Sequence, residues 1–541
     1  MHITAKYFTF FSLFLLTISV YSQGKEVILT QGKSQEAFIM AVNNPDVGTI
    51  SIKTNITVNS NITIPNTKVL KFYNGNKISV KSGSLKLNDT YIDAGKYQIF
   101  EGENIKGYLG NDVVLPEWFG AKANDKQDDA PAIQKAIDLT DAIVKLSKGT
   151  YITKSTLKKT RTPQRNEGVK LVGIGMNSTI ISVLHSGNFI ELVGHNGLKK
   201  NEVCCTYKPI KNNLIQDLTI HGNNSKKNKG AANGIMFYAA QYNEIKNVYI
   251  RNFKESAIVF EGNPKLNPDW TVSSHSKIFN SQLEYNAIGI LNKLNNNSPL
   301  LIMEGTFIIR NSYAGVIWNS SYFKSINSTI SFNGDASDEN SLGGFYNAAL
   351  DYYGEDYSEY YSKGIVIENT ELDANYPVAI TLKSSKGARI IGNSIQMRDN
   401  IRRIKKFTNQ GAICIGGDEK ITNGKVYFER SRNTLIQNNS IKYLNYNETT
   451  FIEPNACLIK LASGALFTKI DNNCFHTNRP KELGKTHWFI KEYEKEGETG
   501  DFFNYKGSYL RLSNTQCINP KELYKAIDFV YPKLTKRRLK K

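Results

Sequence analysis

The stretch NVYIRNFKESAIVFE, residues 247–261, contains two short alternating strands joined by a polar bend, and its first half recurs along the chain. The recurring phrase is Asn, two further residues, an aliphatic anchor and then a polar residue. Its nine anchors are Ile220, Ile250, Leu283, Ile308, Ile330, Leu372, Ile395, Ile441 and Phe475. Successive anchors are 22 to 46 residues apart, a recurrence typical of a solenoid.

The residue three positions before each anchor belongs to a type that tolerates a left-handed backbone. These residues are Asp217, Asn247, Asn280, Gly305, Asn327, Asn369, Gly392, Asn438 and Asn472. Asn side chains that recur one above another can also hydrogen-bond along a stack. We therefore expect one bend per coil, in register. We interpret the two longest intervals, before Leu372 and before Ile441, as insertions or as a degenerate additional coil.

A second short strand follows each phrase, and its alternating β-branched residues have strand periodicity. These strands read NGIMFY (233–238), SAIVFE (256–261), NAIGIL (286–291), AGVIWN (314–319), VAITLK (378–383) and GAICIG (411–416). Coils of two or more strands stack into parallel sheets about 4.8 Å apart. The sequence predicts an all-β parallel β-helix. A β-sandwich is the alternative, but its turns would not repeat one bend chemistry in register.

The chain has 541 residues and a formal net charge of +19. A solenoid can be this long because each coil contacts only its neighbours. A strong positive charge concentrates anions at the surface. Nucleic acid and acidic polysaccharide are both possible anions. No nucleic-acid-binding motif is recognised, so we expect an acidic polysaccharide as partner and no nucleic acid.

Residues 1–22 have the pattern of a secretory signal peptide, with Lys6 before an apolar run at 7–20. We therefore expect a secreted or periplasmic protein, and we find no later stretch apolar enough to span a membrane. The expected divisions are a signal peptide (1–22), an N-terminal β-rich unit (23–112), the β-helix (113–480) and a C-terminal segment with a basic tail (481–541).

A short helix is predicted near Pro131, where Asp128 or Asp129 can provide the N-cap. The surrounding sequence WFGAKANDKQDDAPAIQKAID (118–138), followed by KGTYIT (148–153), resembles the opening segment of the pectate-lyase-3 group. That group includes rhamnogalacturonase-like and epimerase-like proteins and is related to polygalacturonases. The resemblance implies a right-handed single-stranded β-helix with an N-terminal cap and a short capping helix. It also implies that the Asp pair has a structural role.

Members of this fold usually act in a groove beside one parallel sheet, so outward residues on the recurring strands are the candidates. The residues directly after the anchors form one column, which we interpret as a solvated face: His221, Arg251, Glu284, Ile309, Ser331, Asp373, Gln396, Lys442 and His476. The resemblance to polygalacturonases favours a second column as the groove: Tyr238, Glu261, Leu291, Asn319, Asp351 or Tyr353, Lys383 and Gly416. In this column Tyr238, Glu261 and Asn319 are candidate substrate-binding residues. The polygalacturonase signatures Asn-Thr-Asp and Gly-His-Gly are missing.

Residues 332–364 form an acidic and tyrosine-rich insertion that interrupts the anchor spacing. Its carboxylates Asp351 and Glu355, together with Asp373 and Asp418, could supply the acid and base of glycoside hydrolysis. They could equally hold Ca²⁺ through oxygen ligands.

A uronate lyase needs a base and a cation that neutralises the substrate carboxylate. Lys383 or Tyr353 could be that base, and Arg389 belongs to a nearby group of cations that could neutralise the carboxylate. The sequence thus predicts an exported enzyme that cleaves an acidic, uronate-containing glycan, by hydrolysis with paired carboxylates or by β-elimination. The alternative is a non-catalytic glycan-binding or surface β-helix protein.

Overall fold

The computed structural model describes most of residues 24–477 together with three short strands beyond them. The described ranges are 24–30, 35–73, 75–162, 167–196, 207–225, 229–261, 273–293, 300–335, 338, 340–348, 362–399, 411–416, 419–422, 425–428, 431–445, 457–461, 465–466, 468–477, 488–492, 509–512 and 517–518. Within these ranges, the helices are too short or too polar to cross a membrane.

The chain divides into two compact units, residues 1–110 and 111–541. The first unit is built from parallel strand pairs and a helix, α1 (Gln35–Asn43), that the sequence analysis did not predict. The larger sheet of this unit contains Lys25–Leu29, Val47–Ile52, Asn61–Ile64, Val69–Phe72, Ser84–Asp93 and Ile105–Leu109, and the smaller contains Ile56–Val58, Ile78–Val80 and Phe100–Glu101. One face of α1 is buried through Phe38, Ala41 and Val42.

The second unit is a right-handed parallel β-helix, as predicted. Its longest sheet, which we call the anchor sheet, contains Val113–Val114, Ile143–Lys145, Gly149–Thr153, Lys170–Val172, Thr179–Val183, Leu214–His221, Glu244–Arg251, Ser276–Phe279, Gln282–Glu284, Leu301–Glu304, Phe307–Ile309, Phe323–Ile326, Thr329–Ser331, Val366–Glu368, Glu371–Asp373, Arg389–Ile391, Ser394–Asp399, Leu435–Gln437, Ser440–Asn445, Lys469–Asp471, Cys474–Thr477, Tyr509–Leu512 and Cys517–Ile518.

The second long sheet, the companion sheet, holds the strands that follow each phrase. It contains Leu157–Thr160, Ile190–Val193, Ile235–Tyr238, Ser256–Glu261, Ile288–Asn292, Ala314–Trp318, Gly343–Asn347, Val378–Leu382, Gly411–Ile415, Cys457–Leu461 and Trp488–Glu492. The remaining strands are His195–Asn196, Tyr207–Lys208, Ile210–Lys211, Ala240–Gln241, Ser362–Lys363, Ser385–Lys386, Glu419–Thr422, Lys425–Phe428, Ser431–Arg432 and Ala465–Leu466.

The predicted anchors form one column in the core. The eight anchors from Ile220 to Ile441 are fully buried. Ile220 pairs with Ile250, Ile250 with Leu283, and Leu283 with Ile308, each on the next rung. Burying one aliphatic side chain contributes roughly 1.5–3 kcal/mol, so this column is a large part of what holds the rungs in register.

All nine bend residues predicted before the anchors have positive φ, from 45° at Asn280 to 67° at Gly392. This bend divides each turn of the anchor sheet into a first half-sheet, before the bend, and a second half-sheet, after it. Glu244–Lys246 and Val248–Arg251, on either side of Asn247, illustrate the two halves. The bend prediction is therefore confirmed at every position.

The two long anchor intervals are insertions and not an additional coil. Thr329 pairs directly with Glu371, and Ile395 pairs directly with Ile441. The second insertion contains an antiparallel hairpin of Glu419–Thr422 and Lys425–Phe428. The chain can therefore leave the helix for an excursion and return on the next rung.

Asparagine ladders run through the core, although at positions different from the predicted bends. The main ladder links Asn286, Asn311, Asn333 and Asn375, with amide-to-amide distances of 2.9 to 3.0 Å. A second ladder links Asn393, Asn439 and Asn473. At the bends themselves, Asn247 donates to Asp217 over 2.9 Å. These ladders satisfy buried backbone groups at each turn.

The predicted capping helix is α2 (Ala130–Asp138). Asp129 is the residue at its N-cap, but its carboxylate does not cap the helix. The carboxylate instead accepts hydrogen bonds from the backbone N–H groups of Lys122 and Ile152, both over 2.8 Å. Asp128 accepts from the N–H groups of Ala130 and Lys154. The Asp pair therefore ties the helix start to the first strands of the β-helix, which agrees with the structural role implied by the resemblance.

Asp129→Asn is expected to lower the free energy of unfolding by about 1–3 kcal/mol, because one of the two buried N–H groups would face an amide NH₂ in place of an oxygen. Asp125→Asn, at a partly exposed position of the same loop, is the matched control and should change it by less than about 0.5 kcal/mol, because an amide oxygen can still accept the hydrogen bond from the Gln127 N–H group. Urea unfolding at neutral pH measures both. Equal stability of the two variants would contradict the structural role.

Candidate functional site

The column of residues directly after the anchors is not uniformly solvated, contrary to our interpretation. Glu284, Ser331 and Asp373 are 4%, 2% and 6% exposed. A buried carboxylate is costly unless charged or polar groups surround it. The environment of Glu284 therefore defines the first candidate site.

Three side chains hold the Glu284 carboxylate. The Arg310 guanidinium donates to Oε1 over 2.7 Å, and the Tyr249 hydroxyl and the Gln282 amide donate to Oε2 over 2.5 and 3.0 Å. The arrangement combines an ion pair with two neutral donors, so the carboxylate is fully compensated. Arg310 itself is half exposed, with 52% of its side chain in solvent, and the pairing raises its pKa.

Arg251 and His221 occupy the two rungs before Glu284. Arg251 is in register with Glu284 on one side and with His221 on the other. The Arg251 guanidinium lies 5.0 Å from the centre of the Tyr249 ring. We call His221, Tyr249, Arg251, Glu284 and Arg310 the charged patch. It presents an imidazole, a phenol and two guanidinium groups around one buried carboxylate, on the second half-sheet.

The imidazole of His221 is oriented by Asn223. Its Nδ1 lies 2.6 Å from Asn223 Oδ1, while the Asn223 amide donates to Ser182 and to the Val183 carbonyl. Because an amide oxygen can only accept, Nδ1 carries the proton in this contact. Burial lowers the pKa of His221, the Asn223 hydrogen bond opposes that shift, and the charge of Arg251 adds to the lowering. The ring is therefore neutral at neutral pH.

Tyr249 is the acidic counterpart of this imidazole. Burial, and then its hydrogen bond to Glu284, raise the pKa of Tyr249, so its phenol remains protonated at neutral pH. Tyr249 and His221 are diagonal neighbours on adjacent rungs, one rung and two residues apart. From strand spacing and rise, their backbones are roughly 8 Å apart, so the two side chains are close enough to act on one bound sugar residue.

Two exposed rings flank Arg310, which lies directly after the second half-sheet strand Phe307–Ile309. Tyr285 and Phe332 are 47% and 43% exposed, and the Arg310 guanidinium lies 5.8 and 5.9 Å from their centres. Aromatic rings of this exposure can stack against the apolar face of a sugar. The patch thus has a surface for binding beside its charged groups.

The second predicted column is only partly in register. Tyr238 is in register with Glu261 on the next rung. The rung after that places Lys293, not Leu291, beside Glu261, and the two side chains form an ion pair over 3.3 Å. Leu291 lies two residues earlier, in register with Val259. Burial and the charges of two glutamates raise the pKa of Tyr238 to about 12.

Farther along the same column, Asn319 accepts a hydrogen bond from the Ala348 N–H group. Lys383 lies two rungs after Asn319, with its ammonium 5.7 Å from the centre of the Tyr346 ring. Asn319 and Lys383 are partly exposed at the edge of the companion sheet. They can contribute to binding there, but they do not lie on the half-sheet of the charged patch.

The other predicted site residues that the structure describes lie away from the charged patch. Asp373 lies in the same column as Glu284 but three rungs away, and Arg389 is exposed on the first half-sheet. Asp351, Tyr353, Glu355 and Asp418 lie outside the described residues, so their roles and a Ca²⁺ site there stay predictions. Within the described part of the chain, no three His, Cys, Asp or Glu residues converge as a metal site.

Sequence reasoning overlooked Tyr249, Gln282 and Arg310. Tyr249 and Gln282 each directly precede an anchor, and the register places them beside each other. The residues directly before the anchors form a second outward column, and this column was the sequence signal for Tyr249 and Gln282.

Residues 117–341 match the family model described as rhamnogalacturonase A/epimerase, pectate lyase-like. This match confirms the resemblance recognised from the sequence. The matched segment includes the whole charged patch. A search of curated proteins finds no match to the chain.

Several solved structures are similar in fold. The A-module of mannuronan C-5 epimerase AlgE6 from Azotobacter vinelandii is 13% identical, covers 73% of this chain and 98% of its own, and has a TM-score of 0.46. The AlgE4 A-module from the same organism is 15% identical, covers 72% of this chain and 99% of its own, and has a TM-score of 0.39. The catalytic unit of a GH87 α-1,3-glucanase from Streptomyces thermodiastaticus is 11% identical, covers 73% of this chain and 68% of its own, and has a TM-score of 0.41. At these identities the likeness concerns the fold alone.

Proposed function

We propose that this protein is an exported polysaccharide-active enzyme that cleaves an acidic, uronate-containing glycan by β-elimination at the charged patch. The observation that carries the proposal is the sequence of an imidazole, a guanidinium and a buried carboxylate on three consecutive rungs, with the phenol of Tyr249 donating to that carboxylate. The family match of residues 117–341 supports a polysaccharide as substrate.

Each group has a role that its environment favours. Arg251 neutralises the substrate carboxylate, which makes the neighbouring C5 proton more acidic. Neutral His221 takes that proton as general base. The electron pair left on C5 forms the C4=C5 double bond as the C4–O bond breaks, and Tyr249 gives its proton to the departing oxygen. Glu284 and Arg310 orient Tyr249 and are positioning residues.

Hydrolysis by paired carboxylates is less well supported by the described residues. Glu284 and Asp373 are the buried carboxylates of this column, and three rungs separate them by roughly 14 Å. Paired carboxylates of glycoside hydrolases are about 5–9.5 Å apart. The separation therefore disfavours this pair, and the other carboxylates proposed for hydrolysis lie outside the described residues.

The test is incubation with polygalacturonate and alginate, followed by ultraviolet absorbance and mass spectrometry. Elimination produces a conjugated unsaturated uronate, whereas hydrolysis adds water and produces no new absorbance. Solvent deuterium in the polymer without cleavage would indicate that the patch abstracts the proton but epimerises the sugar. An absence of all three products across both polymers would refute the proposal.

Export is a separate part of the proposal, supported by the apolar run at residues 7–20 after Lys6. Expression of the full chain in a bacterial host, followed by N-terminal sequencing of exported protein, tests it. The expected mature terminus is Gln23. Retention of the intact chain in the cytoplasm would contradict export without affecting the proposed chemistry.

The pH profile should report His221. Its lowered pKa places the acid limb of kcat/KM below the usual histidine value of about 6.5, because activity requires the neutral ring. Asn223→Gly retains a backbone suited to the φ of 56° and removes a hydrogen bond that raises the pKa of His221. The acid limb should therefore move to still lower pH. Titration of the imidazole by NMR should follow the same direction, and a shift to higher pH would contradict the assignment of His221 as base.

A further inference from the structure

We infer that a ladder of cations on a different side of the β-helix binds a carboxylated polysaccharide chain, separately from the charged patch. The ladder consists of Lys363, Lys386 and Arg432, which are register partners in a short parallel sheet. Three positive side chains therefore stand on three successive rungs, about 4.8 Å apart. This sheet precedes the first half-sheet, so a bound polymer does not occupy the patch on the second half-sheet.

Lys363 and Lys386 lie directly opposite each other in this ladder, an arrangement that a bound anion would stabilise. Like charges directly opposite each other on neighbouring strands destabilise a sheet. Lys363 and Lys386 are both exposed, and neither forms an ion pair with any residue that the structure describes. By contrast, Lys324 on the first half-sheet pairs with Glu368 over 3.8 Å. The two uncompensated lysines are thus suited to an external polyanion.

Two further residues extend the surface. Arg389 is exposed three residues after Lys386 and lies on the neighbouring first half-sheet. Tyr322, 42% exposed, packs its ring against Gly364, where an added Cβ would be 2.8 Å from the ring atom Cδ1. Gly364 has a φ of 67° and lacks the side chain that would displace the ring. The outer face of the Tyr322 ring remains available to a sugar.

The spacing identifies the class of ligand. Charges that repeat along the helix axis match a linear polymer with a negative group on successive units, running parallel to that axis. A stacking ring at one end favours a pyranose chain. The choice of a polyuronate over a nucleic acid rests on the proposed function. The inference that the ladder binds a linear polyanion rests only on the register of its three cations.

The experiment measures binding in the Tyr249→Phe background, so that turnover does not consume the polymer. The double variant Lys363→Gln/Lys386→Gln is compared with a control of equal charge change, Lys254→Gln/Lys145→Gln, at two exposed lysines elsewhere. Affinity electrophoresis through polygalacturonate and alginate gives the dissociation constants. We expect the dissociation constant of the ladder variant to rise at least tenfold and that of the control to change less than twofold. Binding by the ladder variant should also depend less on salt concentration.

Each other outcome overturns a specific part. Equal losses in the ladder and control variants would mean that net charge alone attracts the polymer. Ladder-dependent binding of single-stranded DNA that exceeds binding of both polyuronates would assign the surface to nucleic acid. Thermal unfolding checks that the ladder variant is folded, and relief of repulsion should leave it as stable as its parent or more so. Ladder-dependent polyuronate binding without any product from the unmutated enzyme would refute the proposed function alone.

Discussion

Tyr249→Phe is expected to lower kcat/KM on a polyuronate by about 10²–10³-fold, because it removes the proposed proton donor to the leaving oxygen. The substitution leaves the ring under Arg251 in place. It also leaves Glu284 compensated, since Gln282 still donates to the same Oε2 and Arg310 to Oε1. The fold and the affinity for polymer should therefore change little, and the loss should be in kcat.

The control for this variant is Tyr285→Phe, which removes a hydroxyl from an exposed ring of the same site. It should change kcat/KM by less than about threefold, since the proposed proton transfer does not use this hydroxyl. A uronide that carries a good leaving group at C4, such as a 4-O-nitrophenyl ether, needs no proton donor for elimination. Tyr249→Phe should therefore recover most of its activity on it. Failure of that rescue would assign Tyr249 a structural role only.

The sequence was sufficient to predict the bends and anchors of the β-helix because each is decided locally. A left-handed bend restricts residue type at one position, and a buried position three residues later requires an aliphatic side chain. Asn247 and Ile250 meet both conditions, and in the structure they have positive φ and full burial. Since every coil contacts only its neighbours, a repeated local signal also fixes the register.

The charged patch could not be predicted in the same way, because outward polar residues look alike in sequence whether they are solvated or buried. The burial of Glu284 depends on Tyr249, one rung earlier, and on Arg310, one rung later. Those contacts span 35 and 26 residues. A column drawn from the sequence predicts which face of the sheet each residue lies on. It does not predict which long side chains from neighbouring rungs contact and bury a given residue.

The second predicted column shows a related limit. Leu291 and Lys293 are two residues apart, so both point to the same face of a strand. Alternation therefore could not distinguish them, and only the pairing register places Lys293 beside Glu261. The asparagine ladder illustrates the same problem. The bend residues were the visible asparagines, while the hydrogen-bonded ladder uses others that follow the anchors, such as Asn333.

Asn333→Ala is expected to lower the free energy of unfolding by about 3–5 kcal/mol, the largest stability effect we predict. Asn333 is fully buried. Its oxygen accepts from the backbone and side chain of Asn311, and its amide donates to the Ile308 carbonyl and to Asn375. Alanine would leave several of these buried groups without a partner, at about 1–3 kcal/mol each.

The matched control is Asn327→Gly, which changes the same residue type at an exposed bend with a φ of 48°. Glycine adopts this conformation without strain, so the free energy of unfolding should change by less than about 0.5 kcal/mol. Urea unfolding compares the two variants, and hydrogen exchange locates the effect. Because coils contact only their neighbours, faster exchange after Asn333→Ala should be concentrated on the rungs of Asn311 and Asn375. Uniformly faster exchange over the whole β-helix would show that the ladder does not stabilise the fold rung by rung.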